Sequence, residues 1–348
     1  MKPLLFLLTF LYFNLLLANE ENGAYFDLSD RDFENGIYSL DGEWDFTWNV
    51  KPNNLSDKRK VVVPGFWNQA KNGGYPCFGQ ATYKAKLRVP ITRDKLCLKI
   101  NNIHSSYHLL INGELVHEHG IPQITTEGYK ANWSPYLYPL NTDTNQFEIT
   151  FIVANHGHRN GGFASSLYVG RYPEMIKDRE FYMSVDAFII GGLFLLGIFL
   201  LSMYILWRKD SSLLYFLGFT LFFALWSSFR DEKVFFSIWN SFDWLLALRI
   251  EYLSMVISVT FFVIFISQLF PKQTIKFIQR AILSINAVSF IVILFFPPQI
   301  FTYVALSNII TLGISMVYIM VVFVKAIKSR EFENIFTTIS LIILFLFI

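Results

Sequence analysis

Apolar and polar residues alternate in short runs between residues 25 and 172, broken by Gly, Pro and Asn, and from residue 183 onward the alternation gives way to long apolar blocks. Alternation with period two belongs to strands that bury one face. It predicts strands over 44–50, 60–63, 81–89, 95–100, 107–111, 146–154 and 166–169. Asn112-Gly113, between 107–111 and 114–117, predicts a two-residue hairpin, because a type I′ turn needs positive φ at both central residues. Trp44 and Phe46 fall on one strand face and read as core, as does Trp67 after Pro64-Gly65. Seven or eight such strands in about 150 residues predict a β-sandwich or jelly roll.

The apolar blocks read differently. A helix rising 1.5 Å per residue needs about 20 apolar residues to cross about 30 Å of hydrocarbon. Segments 183–207, 213–228, 244–270, 277–296 and 301–324 meet or approach that length, the second being short. A sixth run opens near Ile335 and reaches Ile348. That is about 21 Å of helix, too short to span, so the chain is expected to be a fragment or truncated product. Arg208 with Lys209, then Lys272, Lys276 and Arg280, then Lys325, Lys328 and Arg330 occupy alternate connectors. Basic residues of short loops stay on the cytoplasmic side, so residues 20–182 are expected outside it.

Composition sharpens this division. Residues 20–182 carry 17 Lys/Arg and 19 Asp/Glu, against 11 and 8 in residues 183–348. The first part reads as soluble and the second as membrane. A net charge of +2, without a basic stripe carrying interleaved aromatics, argues against a nucleic-acid partner. Lys2, the apolar run from Leu4 to Leu17, Ala18 and then Glu20-Glu21 have the architecture of a signal peptide, with an uncleaved anchor as the alternative. Export permits a disulfide between the only cysteines, Cys77 and Cys97; two buried thiols are the alternative.

The expected fold is therefore a multidomain membrane protein. A signal peptide (1–18) precedes an all-β, galactose-binding-like jelly-roll ectodomain (19–172). A connector (173–182) leads to an α-helical transmembrane bundle (183–348) of five full spans and part of a sixth. The connector is too short to be floppy, so the ectodomain should rest directly on the membrane.

A family resemblance rests on motifs in order. Leu40-Asp41-Gly42-Glu43-Trp44-Asp45-Phe46, Val63-Pro64-Gly65-Phe66-Trp67-Asn68, Ala81-Thr82-Tyr83 with Val89-Pro90, and Ile111-Asn112-Gly113-Glu114 follow one another as in the jelly-roll sugar-binding domains of β-glucuronidase-like glycosidases. The same order, ending in Asn155-His156-Gly157-His158-Arg159-Asn160-Gly161-Gly162 and followed by multiple spans, resembles the bacterial seven-transmembrane receptors with diverse intracellular signalling modules. The resemblance implies an inner-membrane sensor whose periplasmic jelly roll binds a small molecule or carbohydrate. Its helices would transmit the event to a cytoplasmic output module absent from these residues.

Sugars are held by an aromatic platform and a few polar groups, which makes Trp133, Tyr107, Asn155, His158 and Arg159 the candidate ligand-binding residues. The Asn155–Gly162 loop is the best candidate site, since its glycines permit close backbone approach. His117-x-His119 and His156-x-His158 would each share a face if they lay on strands, yet two imidazoles do not make a metal site, and neither a metal nor another cofactor is expected. Asp186 and Arg249 lie near the outer ends of their spans, either paired with each other or snorkelling to the interface. No catalytic motif stands out and no enzyme activity is expected. A membrane-bound envelope-glycan enzyme, which needs a buried carboxylate pair in a cleft, and an adhesion or scaffold module, which needs no pocket, are the alternatives. The expected partners are the ligand and the lipid bilayer, with a homodimer open.

Overall fold

The computed structural model describes residues 23–34, 36–49, 57–92, 95–101, 103, 105–132, 134–141, 144–207, 210–230, 233–239, 242–329 and 335–339. The expected signal peptide, Trp133 and most of the sixth apolar run lie outside them.

Among the described residues thirteen strands form the first part: β1 (Tyr25–Asp27), β2 (Tyr38–Ser39), β3 (Gly42–Trp48), β4 (Asp57–Val63), β5 (Gly65–Phe66), β6 (Gly79–Arg88), β7 (Leu96–Ile100), β8 (Ser106–Ile111), β9 (Glu114–His119), β10 (Tyr136–Pro139), β11 (Gln146–Asn155), β12 (Gly162–Phe163) and β13 (Leu167–Arg171). One sheet runs β4-β3-β6-β11-β8-β9, with β1 added in parallel to β6; a second runs β10-β7-β13-β2, and β12 pairs with β5. All seven strands expected from alternation are present. The hairpin turn is as read, with Asn112 at φ 52° and Gly113 at φ 84°.

Alternating side chains of the first sheet meet the second in a core rich in aromatics. Trp44, Phe46 and Trp48 of β3 point inward together, beside Tyr83 of β6, Phe151 of β11 and Leu98 of β7. Trp44 is fully buried and spends its one donor on the Leu40 carbonyl, 3.0 Å away, which is how a tryptophan is buried without an orphaned N–H. Trp67 is likewise fully buried, with Nε1 donating to the Pro76 carbonyl at 2.9 Å.

β6 and β7 lie in different sheets, and the residues joining them cross from one to the other. The disulfide expectation is corrected by the cysteines themselves: Cys77 and Cys97 are free thiols. Cys97 is buried on β7, where burial pushes its thiol up to about 12.

The helices follow at once. α1 (Tyr172–Trp207) starts at the residue after β13, so the expected connector forms its first turns. After it come α2 (Ser212–Ser228), α3 (Val234–Ile238), α4 (Trp244–Leu269), α5 (Lys276–Phe295), α6 (Pro298–Phe301) and α7 (Val304–Lys328). Among the described residues α1, α4, α5 and the α6–α7 stretch are long and apolar enough to cross a membrane, and α2 is apolar but shorter. α2 packs between α1 and α4, while α5 and α7 pack on α4 and on each other. Polar pairs tie the helices: Asn286 Nδ2 donates to Thr260 Oγ1 at 2.9 Å, and the Ser267 and Tyr318 hydroxyls lie 3.2 Å apart.

Candidate functional site

The loop between β11 and β12 is organised by Asn155. Its Oδ1 accepts from the His158 amide at 3.0 Å, and its Nδ2 donates to the carbonyls of Cys77 at 2.9 Å and His158 at 2.6 Å. Asn155 is fully buried in this role, so it shapes the loop and does not face a ligand. The loop it forms is pressed onto the helices. Gln299 Nε2 donates to the His156 carbonyl at 2.8 Å, and the Arg159 amide donates to Thr302 Oγ1 at 3.1 Å. Gly157 lies against Trp244 so closely that a Cβ there would stand 2.6 Å from the indole. Cys77 Sγ adds a contact to the Tyr303 hydroxyl at 3.4 Å.

A second attachment lies at the start of α1. The Tyr172 amide donates to the Lys95 carbonyl at 2.8 Å, Lys99 pairs with Asp178 at 3.5 Å, and Met175 is buried beneath Gly170 and Ile37. The β domain thus rests on its helices at two separated points.

Between the two attachments a cavity of about 1280 Å³ opens, walled by both parts of the chain. The β domain contributes Lys99, Asn101, His158, Arg159, Asn160 and Tyr168, and the helices contribute Asp186, Trp226, Arg230, Glu251, Tyr252 and Asn308. Burial dominates the electrostatics on the β side. It holds the His158 imidazole down at about 4, with Nδ1 set 3.1 Å from the Asn160 carbonyl. Asn308 sits one turn into α7, is 5% exposed, and neither its Oδ1 nor its Nδ2 has a hydrogen-bond partner. The Arg159 Nε is also without one.

Of the candidate residues, His158 and Arg159 meet in this wall. Tyr107 does not join them: it is 1% exposed in the core, stacked on His119 at 4.7 Å and edge-on to Phe151 at 5.6 Å. Asp186 and Arg249 do not pair either. Arg249 donates to the Leu294 and Phe296 carbonyls at the end of α5 and lies over the Phe301 ring at 5.5 Å, whereas Asp186 faces the cavity. Those last carbonyls have no partner within their helix, which makes them natural acceptors for a cation. His156 and His158 lie in a loop, not on a strand, and each turns a ring nitrogen to a backbone carbonyl, of Gln123 at 3.0 Å and of Asn160. Sequence reading passed over Asn308 and Lys99. For Asn308 a signal was present, a lone amide just inside an apolar span.

Comparison with curated proteins gives no match. Among solved structures, a GH2 β-galacturonidase from Eisenbergiella tayi is similar at 16% identity and a TM-score of 0.30, over 39% of this chain and 24% of that one. The β-glucuronidase from Ruminococcus gnavus is similar at 15% identity and the same TM-score, over 38% of this chain and 28% of that one. The chain thus spans about a quarter of the length of these enzymes. Residues 182–348 match the family model for 7TM diverse intracellular signalling. The chain is a multi-pass membrane protein with an all-β domain ahead of its helices, and its helical part is similar to the 7TM diverse intracellular signalling family.

Proposed function

We propose that the chain is a membrane receptor that admits a small molecule to the cavity between its jelly roll and its helices, outside the cytoplasm, and passes the event through the bundle to an output module. The carrying observation is the cavity's place between two attachments, with walls drawn from both parts. A ligand shifts an equilibrium only by the difference in its affinity for the two arrangements. A ligand touching both walls acquires such a difference whenever the jelly roll tilts. No linker separates β13 from α1, so a tilt turns α1 directly, and Asn308 brings α7 into the same contact. The family match supports the signalling role, and the alternating basic connectors support the orientation. An adhesion module has no use for a cavity of this size walled by both parts of the chain.

Two experiments test the reading. Ala305 lines the cavity, and Ala305→Trp is expected to act as a built-in occupant. Hydrogen exchange of the intact chain in nanodiscs should change at the far ends of α1 and α7 as well as beside the new indole. A change confined to the turn around residue 305 would sink the coupling. For orientation, Glu127 and Lys272 are both exposed, and each is replaced by cysteine. In a chain whose Cys77 is first changed to Ser, a membrane-impermeant maleimide given to intact cells should label Glu127→Cys and spare Lys272→Cys; the reverse pattern overturns the topology.

A further inference from the structure

We infer that the cavity takes a hydroxylated monocarboxylate, the class of hydroxy acids and sugar acids; this rests on the cavity being the ligand site. Buried polar atoms in folded proteins are nearly always satisfied, and both amide atoms of Asn308 are not. Its Oδ1 requires a donor and its Nδ2 an acceptor, and a hydroxyl group supplies both from a single atom. The unbonded Arg159 Nε requires an acceptor in the same space.

Charge then selects the acceptor. Among the described lining residues Lys99 pairs with Asp178, and Lys233 lies against Glu251, so each pair cancels when one proton is shared between its members. What remains is Arg159 and Arg230 against Asp186, one positive charge in surplus. Arg230 is already engaged over the Trp226 ring at 5.1 Å, and Arg159, which reaches the Tyr252 hydroxyl, still has its Nε without an acceptor. A single surplus charge matches a carboxylate; a phosphate dianion would overshoot it and meet three wall carboxylates. Tyr168, Phe229 and Tyr252 supply the flat apolar surface against which a carbon skeleton can lie.

The test uses three six-carbon probes on the intact chain in nanodiscs: D-gluconate, which carries both features, sorbitol, which lacks the carboxylate, and hexanoate, which lacks the hydroxyls. Calorimetry should find gluconate at least about tenfold tighter than either, the size expected for a charged hydrogen bond gained in a buried site. Arg159→Gln should reduce gluconate to the affinity of sorbitol, and Asn308→Leu to that of hexanoate. Sorbitol or hexanoate binding as tightly as gluconate, or no binding by any of the three, overturns the ligand class and leaves the cavity reading to its own exchange test. Gluconate binding that survives Ala305→Trp places the site elsewhere and overturns both. The comparison among probes needs no variant, so misfolding of a mutant does not obscure it.

Discussion

Acidification from about pH 7 to about pH 5 is expected to cost the folded chain about 4 kcal/mol, through two histidines that cannot take a proton where they are. Burial is the main cause in both. It lowers His119 from 6.5 to about 3, aided by the neighbouring His117 and Lys233, and lowers His158 to about 4, aided by Arg159 and opposed by the Asn160 carbonyl. The unfolded chain protonates both near 6.5, so below that value it binds more protons than the folded one. Stability is therefore fully present above about pH 6.5 and declines at about 1.4 kcal/mol per pH unit for each histidine, until the folded forms protonate in turn. Asp27 acts in a separate, more acidic window, since its pKa is lowered below 3.8 by the Ser29 hydrogen bonds. Urea unfolding followed by the fluorescence of the jelly-roll tryptophans would measure the loss. His158→Asn should remove about half of the slope, and a midpoint indifferent to pH across this range would show that the two rings are hydrated.

The jelly roll was legible in the sequence because its strands bury one face, and a buried face writes itself as alternation. Trp44, Phe46 and the Asn112-Gly113 turn follow from that rule alone, and all three stand where it puts them. Tyr107 should have followed too. It shares a strand face with Leu109 and Ile111, both core residues, so the period that placed Trp44 inside also argued against Tyr107 as a ligand contact. The spans were legible for a related reason, since lipid demands length and apolarity together. What could not be read was the cavity. Lys99, Arg159, Asp186 and Asn308 come from one strand, one loop and two helices, and their meeting depends on how the jelly roll is seated. Arg249 was misjudged because its partners are backbone carbonyls, which every residue possesses and no pattern reveals.

Gly161→Ala is expected to cost about 3 kcal/mol, the upper range for inserting one methyl into a packed core. The reason is steric and local. A Cβ on Gly161 would lie 2.2 Å from Cζ2 and 2.3 Å from Cε2 of Trp67, inside any real contact distance. The indole cannot retreat. It is fully buried, its Nε1 is bonded to Pro76, and Trp48 stands edge-on to it with centroids 5.4 Å apart. The backbone must yield instead, yet the Gly161 carbonyl accepts from the Trp67 amide at 2.9 Å and its own amide donates to Asn68 Oδ1 at 3.2 Å. Yielding therefore displaces the preceding residues, His158, Arg159 and Asn160, which form the β side of the cavity. Ligand affinity should fall together with stability. Gly191→Ala, with nothing within 4 Å of the added carbon, serves as the steric control; it lies inside α1, so it should not destabilise and should gain up to about 1 kcal/mol from helix propensity. Trp67→Phe removes the atoms that clash, so in a double-mutant cycle the pair should destabilise the chain by less than the sum of the single changes. A strictly additive result would mean that Trp67 is not what confines position 161.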